Sequence, residues 1–173
     1  MTAITAKVCV IGDFAVGKTS TIERFVTNQF SEKYLTTVGV KIDTKEVLLA
    51  AMGVNLKLVI WDVAGTERFG ALEFSYLRGA AGYILVADGT RSPTVRAALN
   101  LRDQAAERYG DLPFVFLMNK SDLRSSWDVD ERKLSEVREV GQDVYETSAK
   151  TGEEVENAIL RLAERIVRRE LSA

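Results

Sequence analysis

Eight consecutive residues, Gly12-Asp13-Phe14-Ala15-Val16-Gly17-Lys18-Thr19, restrict this chain more than any other stretch. They follow the short apolar run Val8-Cys9-Val10-Ile11 and lead into a segment from Lys18 in which Ile22, Phe25 and Val26 recur at helical spacing. The order is therefore strand, glycine loop, helix, the setting that a G-x-x-x-x-G-K-[ST] pattern requires. Glycines let the backbone curl until successive N–H groups point inward at an anion, and the helix N-terminus adds its positive end. In such a loop Lys18 reaches the terminal phosphates and the Thr19 hydroxyl binds Mg²⁺. The expected phosphate-binding residues are Phe14, Ala15, Val16, Gly17, Lys18, Thr19 and Ser20.

Composition removes many alternatives. At 173 residues the chain is expected to form one domain, residues 1–173. A hydrophobic fraction of 46% supports a core. The 23 basic and 25 acidic residues leave a net charge of −2, too balanced for a protein whose main partner is a nucleic-acid backbone. With no histidine, Ser-His-Asp and Cys-His nucleophilic sites and helix-borne His-Glu-x-x-His zinc sites cannot be built. A single cysteine excludes an internal disulfide and a thiolate cluster, which fits a reducing, cytoplasmic setting. No apolar run approaches the ~18 residues of a membrane span. Met1 to Lys7 does not read as a secretory signal, Thr2 follows Met1 where myristoylation needs glycine, and the end Arg169 to Ala173 has no cysteine to prenylate. No integral membrane segment and no lipid anchor are expected.

Along the chain, two strand-like runs, Val40 to Ala51 and Val54 to Asp62, flank Met52-Gly53 and read as a β-hairpin. Apolar runs then alternate with helical patterns: Tyr83 to Ala87, a helix from Pro93 to Tyr109, Phe114 to Met118, a charged helix from Asp130 to Val140, Val144 to Thr147, and a closing helix from Glu153 to Glu170. In the last helix Val155, Ile159, Leu162, Ile166 and Val167 form one stripe. The expected fold is α/β: a sheet of about six strands, mostly parallel with one antiparallel edge strand, and helices on both faces. Ligands of such sheets bind at the carboxyl ends of the strands.

Three further motifs fall at those ends. Leu58 to Asp62 is an apolar run closing in a carboxylate suited to orienting Mg²⁺ or its waters; alone, Asp62 would more often be a turn residue. Asn119-Lys120-Ser121-Asp122 closes the Phe114 run and Thr147-Ser148-Ala149-Lys150 the next, so neighbouring parallel strands would deliver both to one edge. Asp122 can accept two hydrogen bonds, from the ring N–H and exocyclic amine of guanine, where adenine offers neither donor. Loss of a partner by a buried polar group discriminates by ~10⁴–10⁵, enough to reject ATP. In isolation Asn119 to Asp122 would be an ordinary polar loop.

Taken in order, these motifs resemble a Ras-superfamily small GTPase of the Rab branch, across essentially the whole chain. Trp61-Asp62-Val63-Ala64-Gly65-Thr66-Glu67-Arg68-Phe69 is similar to the family's W-D-T-A-G-Q-E-R-F, Leu77 to Gly82 is Rab-like, and Tyr34 to Val40 resembles the first switch. The resemblance implies a P-loop NTPase G domain with GTP or GDP as ligand and Mg²⁺ held by Thr19, Thr37 and Asp62. By the same likeness Lys18, Thr37, Gly65 and Thr66 would surround the reacting γ-phosphate, and Phe30 and Lys120 would flank the guanine. Asn119, Asp122, Ser148, Ala149 and Lys150 would complete the base site. It also implies a protein effector, with exchange or activating proteins, acting through two switch segments. Rab proteins usually end in prenylated cysteines, so their lack here fits a prokaryotic relative or a shortened chain.

Two departures bear on turnover. Thr66 stands where the family usually carries the Gln that orients attacking water, and a shorter hydroxyl without an amide should position water less well. Phe14 stands where the family has a small residue, near the entry of an activator's arginine; obstruction and simple packing are equally reasonable for its ring. Slow GTP hydrolysis is expected, with Glu67 or Arg68 as substitutes recommended only by adjacency. A non-hydrolysing pseudo-GTPase is the rival, and a small-molecule phosphotransferase leaves the guanine motifs unexplained. Bland readings hold elsewhere: a solvated basic face for Arg161, Arg165, Arg168 and Arg169, core packing for Cys9, and surface charge for Arg102, Glu107, Arg108 and Asp111.

Overall fold

A computed structural model describes residues 1–28, 40–63, 74–140 and 143–173. Strand β1 (Thr2–Gly12) leads into helix α1 (Lys18–Thr27), and the hairpin of β2 (Val40–Leu49) and β3 (Val54–Val63) turns through the short 3₁₀ segment Ala50–Met52. Strand β4 (Gly82–Asp88) is followed by α2 (Ser92–Tyr109), β5 (Phe114–Asn119), a 3₁₀ segment Ser121–Ser126, α3 (Glu131–Val140), β6 (Val144–Thr147) and α4 (Val155–Ser172). The six strands form one sheet in the order β2-β3-β1-β4-β5-β6. All neighbours are parallel except β2 and β3, so the antiparallel strand lies at the edge, as expected.

Period-2 alternation in the strands divides the core into two. Val8, Val10, Leu56, Leu58, Ile84 and Val86 face α1 and α4, where Ile22, Phe25 and the whole Val155-Ile159-Leu162-Ile166-Val167 stripe are buried. Cys9, Ile11, Leu85, Ala87, Phe116 and Met118 face the opposite way, onto Val95, Ala98 and Leu99 of α2 and Leu134 and Val137 of α3. Covering both faces with helices is what a mainly parallel sheet needs. None of the helices described is long and apolar enough to cross a membrane.

β1 begins at Thr2, six residues before the apolar run that marked it, because β3 pairs with it from Thr2↔Val54 onward although the first residues stay exposed. The basic side of α4 is less solvated than expected. Arg165 donates to the Phe114 carbonyl at 2.9 Å and to Asp143 at 3.0 Å, Arg161 reaches Asp143 at 3.4 Å, and Arg169 donates to the Asp111 carbonyl at 2.6 Å. These arginines lash α4 to the far end of the sheet, leaving Arg168 exposed. Arg102 is likewise more than a surface charge: its Nε is buried without a hydrogen-bond partner among the described residues, and its guanidinium lies 5.9 Å from the Phe114 ring centroid. Cys9 is fully buried, as expected, and burial pushes its thiol up to about 12 against the opposing charge of Lys7.

Candidate nucleotide site

The carboxyl ends of β1, β3, β4, β5 and β6 gather two clusters. The first surrounds the glycine loop. A Cβ at Gly12 would stand 2.4 Å from the Val86 carbonyl oxygen, so only glycine lets β1 end this close to β4. Ala15 and Gly17 adopt left-handed conformations, φ 59° and 99°, which fold the loop back before α1 starts at Lys18. Lys18 is buried, and its Nζ donates to the carbonyls of Gly12 at 3.2 Å and Asp13 at 2.9 Å. Burial lowers its pKa to about 8, against the pull of the Asp62 and Asp13 carboxylates. Val16 is fully buried, Ser20 lies in the first turn of α1, and Phe14 is 47% exposed at the loop crest.

Asp62, on β3, is 1% exposed, and its Oδ2 accepts the Thr19 hydroxyl at 2.5 Å. Its Oδ1 is buried with no hydrogen-bond partner among the described residues. Burial raises its pKa, with the Thr19 bond and the Lys18 charge pulling the other way. A buried carboxylate with an unsatisfied oxygen normally needs a counter-charge. The Thr19 hydroxyl and the Asp62 carboxylate are oxygen donors of the kind that suit Mg²⁺, which binds through one or two protein ligands plus phosphate and water. The described residues contain no group of three or more His, Cys, Asp or Glu side chains able to hold a metal, so a softer, all-protein metal site has no basis in them.

The second cluster lies at the ends of β5 and β6, where the register pairs Asn119 with Thr147. Asn119 is buried; its Nδ2 donates to the Val16 carbonyl at 2.9 Å and its Oδ1 accepts the Thr147 hydroxyl at 3.3 Å. The amide thus joins the glycine loop to the second loop. A Cβ at Gly17 would meet Asn119 Nδ2 at 2.3 Å, which accounts for glycine there independently of its φ. Asp122 Oδ1 accepts the buried Ser148 hydroxyl at 2.8 Å, bringing the two motifs together as their spacing implied. Ala149 is buried and Lys150 exposed.

Five contributors, Arg24, Asp88, Arg91, Arg124 and Trp127, carried no motif signal. Arg24 of α1 donates to the Ala149 carbonyl at 2.8 Å and, through a short contact, to that of Lys150. Asp88, fully buried at the end of β4, accepts Lys120 Nζ at 2.6 Å and Arg91 Nε at 3.0 Å. Burial would raise its pKa, but bonds from Lys120, Thr90 and Arg91 outweigh that and hold it below the usual carboxylate value. Trp127 donates from Nε1 to the Lys120 carbonyl at 2.8 Å, and Arg124 stacks 4.5 Å over its ring. A strand closing in aspartate, as at Asp62, was the one available pointer to Asp88. Of the expected site residues, Phe30, Thr37, Gly65 and Thr66 lie outside the described residues, as do Glu67 and Arg68.

The model of the Ras family matches residues 7–168 of this chain. This chain belongs to the Ras family. It is 36% identical to the human Ras-related protein Rab-27B over 94% of its own length and 80% of that protein. It is 38% identical to Ras-related protein Rab7 of Drosophila melanogaster over 96% of its length and 83% of the relative. Rab-4 of Dictyostelium discoideum is 36% identical over 93% and 78% respectively. A Rab-like member of the Ras family is a GTP-binding switch of GTPase type, working with effector and regulator proteins, and family members bind guanine nucleotide, generally with Mg²⁺.

Proposed function

We propose that residues 1–173 form a single nucleotide-binding domain that binds Mg-GTP, hydrolyses it slowly to GDP and phosphate, and signals to an effector through residues 31–39 and 64–78. The observation that supports this most is Asp62: one oxygen on the Thr19 hydroxyl, the other buried and without a partner among the described residues. Thr19, Thr37 and Asp62 would hold Mg²⁺, directly or through its waters, and the ion supplies neutralising charge at the β- and γ-phosphates. Lys18 would exchange its carbonyl partners for phosphate oxygens, and their charge would offset the burial that now lowers its pKa. Asp122 would accept from the guanine ring N–H and amine, the Ala149 N–H would meet the guanine carbonyl, and Lys120 and Phe30 would flank the base.

In the reaction a water oxygen bonds to the γ-phosphorus, the bridging oxygen leaves with GDP, and the water's protons pass to the phosphate and solvent. The Gly65 N–H and Lys18 would stabilise charge on the transferred group, and Thr37 would sense it. Thr66 offers no amide to orient the water. Loss of one aligned polar group costs ~10²–10³ in rate, so turnover should be slow. Phe14, half exposed at the crest, would obstruct an activator's arginine.

Single-turnover hydrolysis of GTP with Mg²⁺, with Thr66→Gln run alongside, tests this. Faster turnover by Thr66→Gln, on the order of 10-fold or more, is the expected result. No gain would remove Thr66 as the limiting feature. Tight GTP binding with no wild-type turnover above background would favour a non-hydrolysing switch reset by exchange.

A further inference from the structure

Behind the two nucleotide loops, the buried carboxylate of Asp88 is shared by two cations from different elements. Its Oδ1 accepts the Thr90 N–H at 2.8 Å and hydroxyl at 2.6 Å, while its Oδ2 accepts Lys120 Nζ at 2.6 Å and Arg91 Nε at 3.0 Å. The other arm of Arg91 extends forward, donating from Nη2 to the Phe14 carbonyl at 2.8 Å. We propose that Arg91 is a positioning residue for nucleotide retention, fastening the crest of the phosphate loop to the lysine of the base loop through the shared carboxylate of Asp88. This rests on the guanine-nucleotide reading above and adds to it the residue that makes the two ends release together.

Charge balance does not account for Arg91. Lys120 already neutralises Asp88 at hydrogen-bond distance, so a second cation is surplus to that need. The Arg91 side chain is 43% exposed, and a long side chain in that position loses rotamer freedom when it is fixed. What the arginine adds is reach. Its planar fork engages two acceptors at once, one on β4 and one on the glycine loop, which a point charge cannot do.

The anchor is held by its own backbone as well. Arg91 caps the N-terminus of α2, its own N–H donates to the Asp88 carbonyl at 3.0 Å, and its carbonyl accepts the Thr94 hydroxyl at 2.7 Å. Lys120 is held from a second direction by Trp127 on its carbonyl, and the Trp127 ring fills the space where a Cβ at Gly89 would stand, 2.2 Å away. The crest residue Phe14 is otherwise exposed and adjoins Ala15 at φ 59°. Tethering that crest to Asp88 means that a departing nucleotide cannot loosen the phosphate loop without pulling on the group that places Lys120.

The test is stopped-flow release of a fluorescent GDP, with Mg²⁺ present, from wild type, Arg91→Ala, Arg91→Lys, Asp88→Asn and the Asp88→Asn/Arg91→Ala pair. Removing a charge-assisted bond to the loop should speed release in Arg91→Ala on the order of 10-fold. Arg91→Lys, able to reach one acceptor only, should recover part of the loss. Because Arg91 reaches Lys120 only through the Asp88 carboxylate, Arg91→Ala should add little on top of Asp88→Asn. Unchanged release in Arg91→Ala, full recovery by Arg91→Lys, or strict additivity with Asp88→Asn each overturns the clasp while leaving guanine-nucleotide binding intact. Failure of the wild type to bind GDP overturns both. If Asp88→Asn does not fold, the two Arg91 variants decide the matter alone.

Discussion

The two ends of the candidate site satisfy their polar groups differently. At the base end Asn119, Asp122 and Ser148 bond to protein atoms, and Lys120 is pinned on Asp88. At the phosphate end, among the described residues, Asp62 Oδ1 has no partner and Lys18 donates to two backbone carbonyls. The base end is built in advance, as a reader of hydrogen-bond pattern must be if it is to discriminate. The phosphate end holds a buried charge that its own protein atoms leave incompletely compensated, so it should respond most to ligand. On the proposed reading, specificity and ligand response would be divided between two loops that meet at one amide, Asn119.

The largest expected effect falls at the base end. Asp122→Ala should reduce the preference for GTP over ATP by ~10⁴, because guanine's two donors lose their acceptor. Competition titration with both nucleotides reads it, and an unchanged ratio would place discrimination elsewhere.

A smaller effect belongs to the phosphate end. Asp62→Ala should weaken GTP binding by on the order of 100-fold when Mg²⁺ is present and much less in chelator, since only the metal-dependent part is removed. Equal loss under both conditions would mean that Asp62 acts by packing.

The junction can be broken directly. Gly17→Ala forces a Cβ toward Asn119 Nδ2, 2.3 Å away, on a backbone at φ 99°, and should cost ~1–3 kcal/mol in denaturant unfolding while impairing both ends. Impairment confined to phosphate affinity would show that the two ends are independent.

Cys9 belongs to neither end and gives the smallest signal. Its folded pKa of about 12 lies above the ordinary 9.0, so the unfolded chain loses the proton first. This contribution to stability is fully present below pH 9 and is lost as pH rises from about 9 toward 12. At pH 9 the native thiol should react with a thiol reagent far more slowly than the denatured one. Equal rates would mean that the core under both ends opens readily.

Much of this was legible because it is local. The glycine loop needs only its own spacing and a strand before it, the hairpin is marked by Met52-Gly53, and the Val155 to Val167 stripe marks a helix face. Asp122 and Ser148 were brought together by assuming adjacent parallel strands, which the Asn119↔Thr147 register bears out. Arg24 and Arg91 were not legible as site residues, since an arginine in a helix or at a turn reads as surface charge; Asp88 offered only a strand-ending carboxylate, and Trp127 nothing.

By itself the sequence determined the α/β order, the loop that curls before Lys18 and the residue types at each strand end. These follow from periodicity, glycine's freedom and donor chemistry, which act over a few residues. Only the tertiary structure decided which carbonyl each long side chain reaches. Arg24 meets Ala149 across 125 positions and Arg91 meets Phe14 across 77. Those pairings depend on strand order and helix placement, and no local preference encodes the distance between elements that the chain brings together only when the sheet closes.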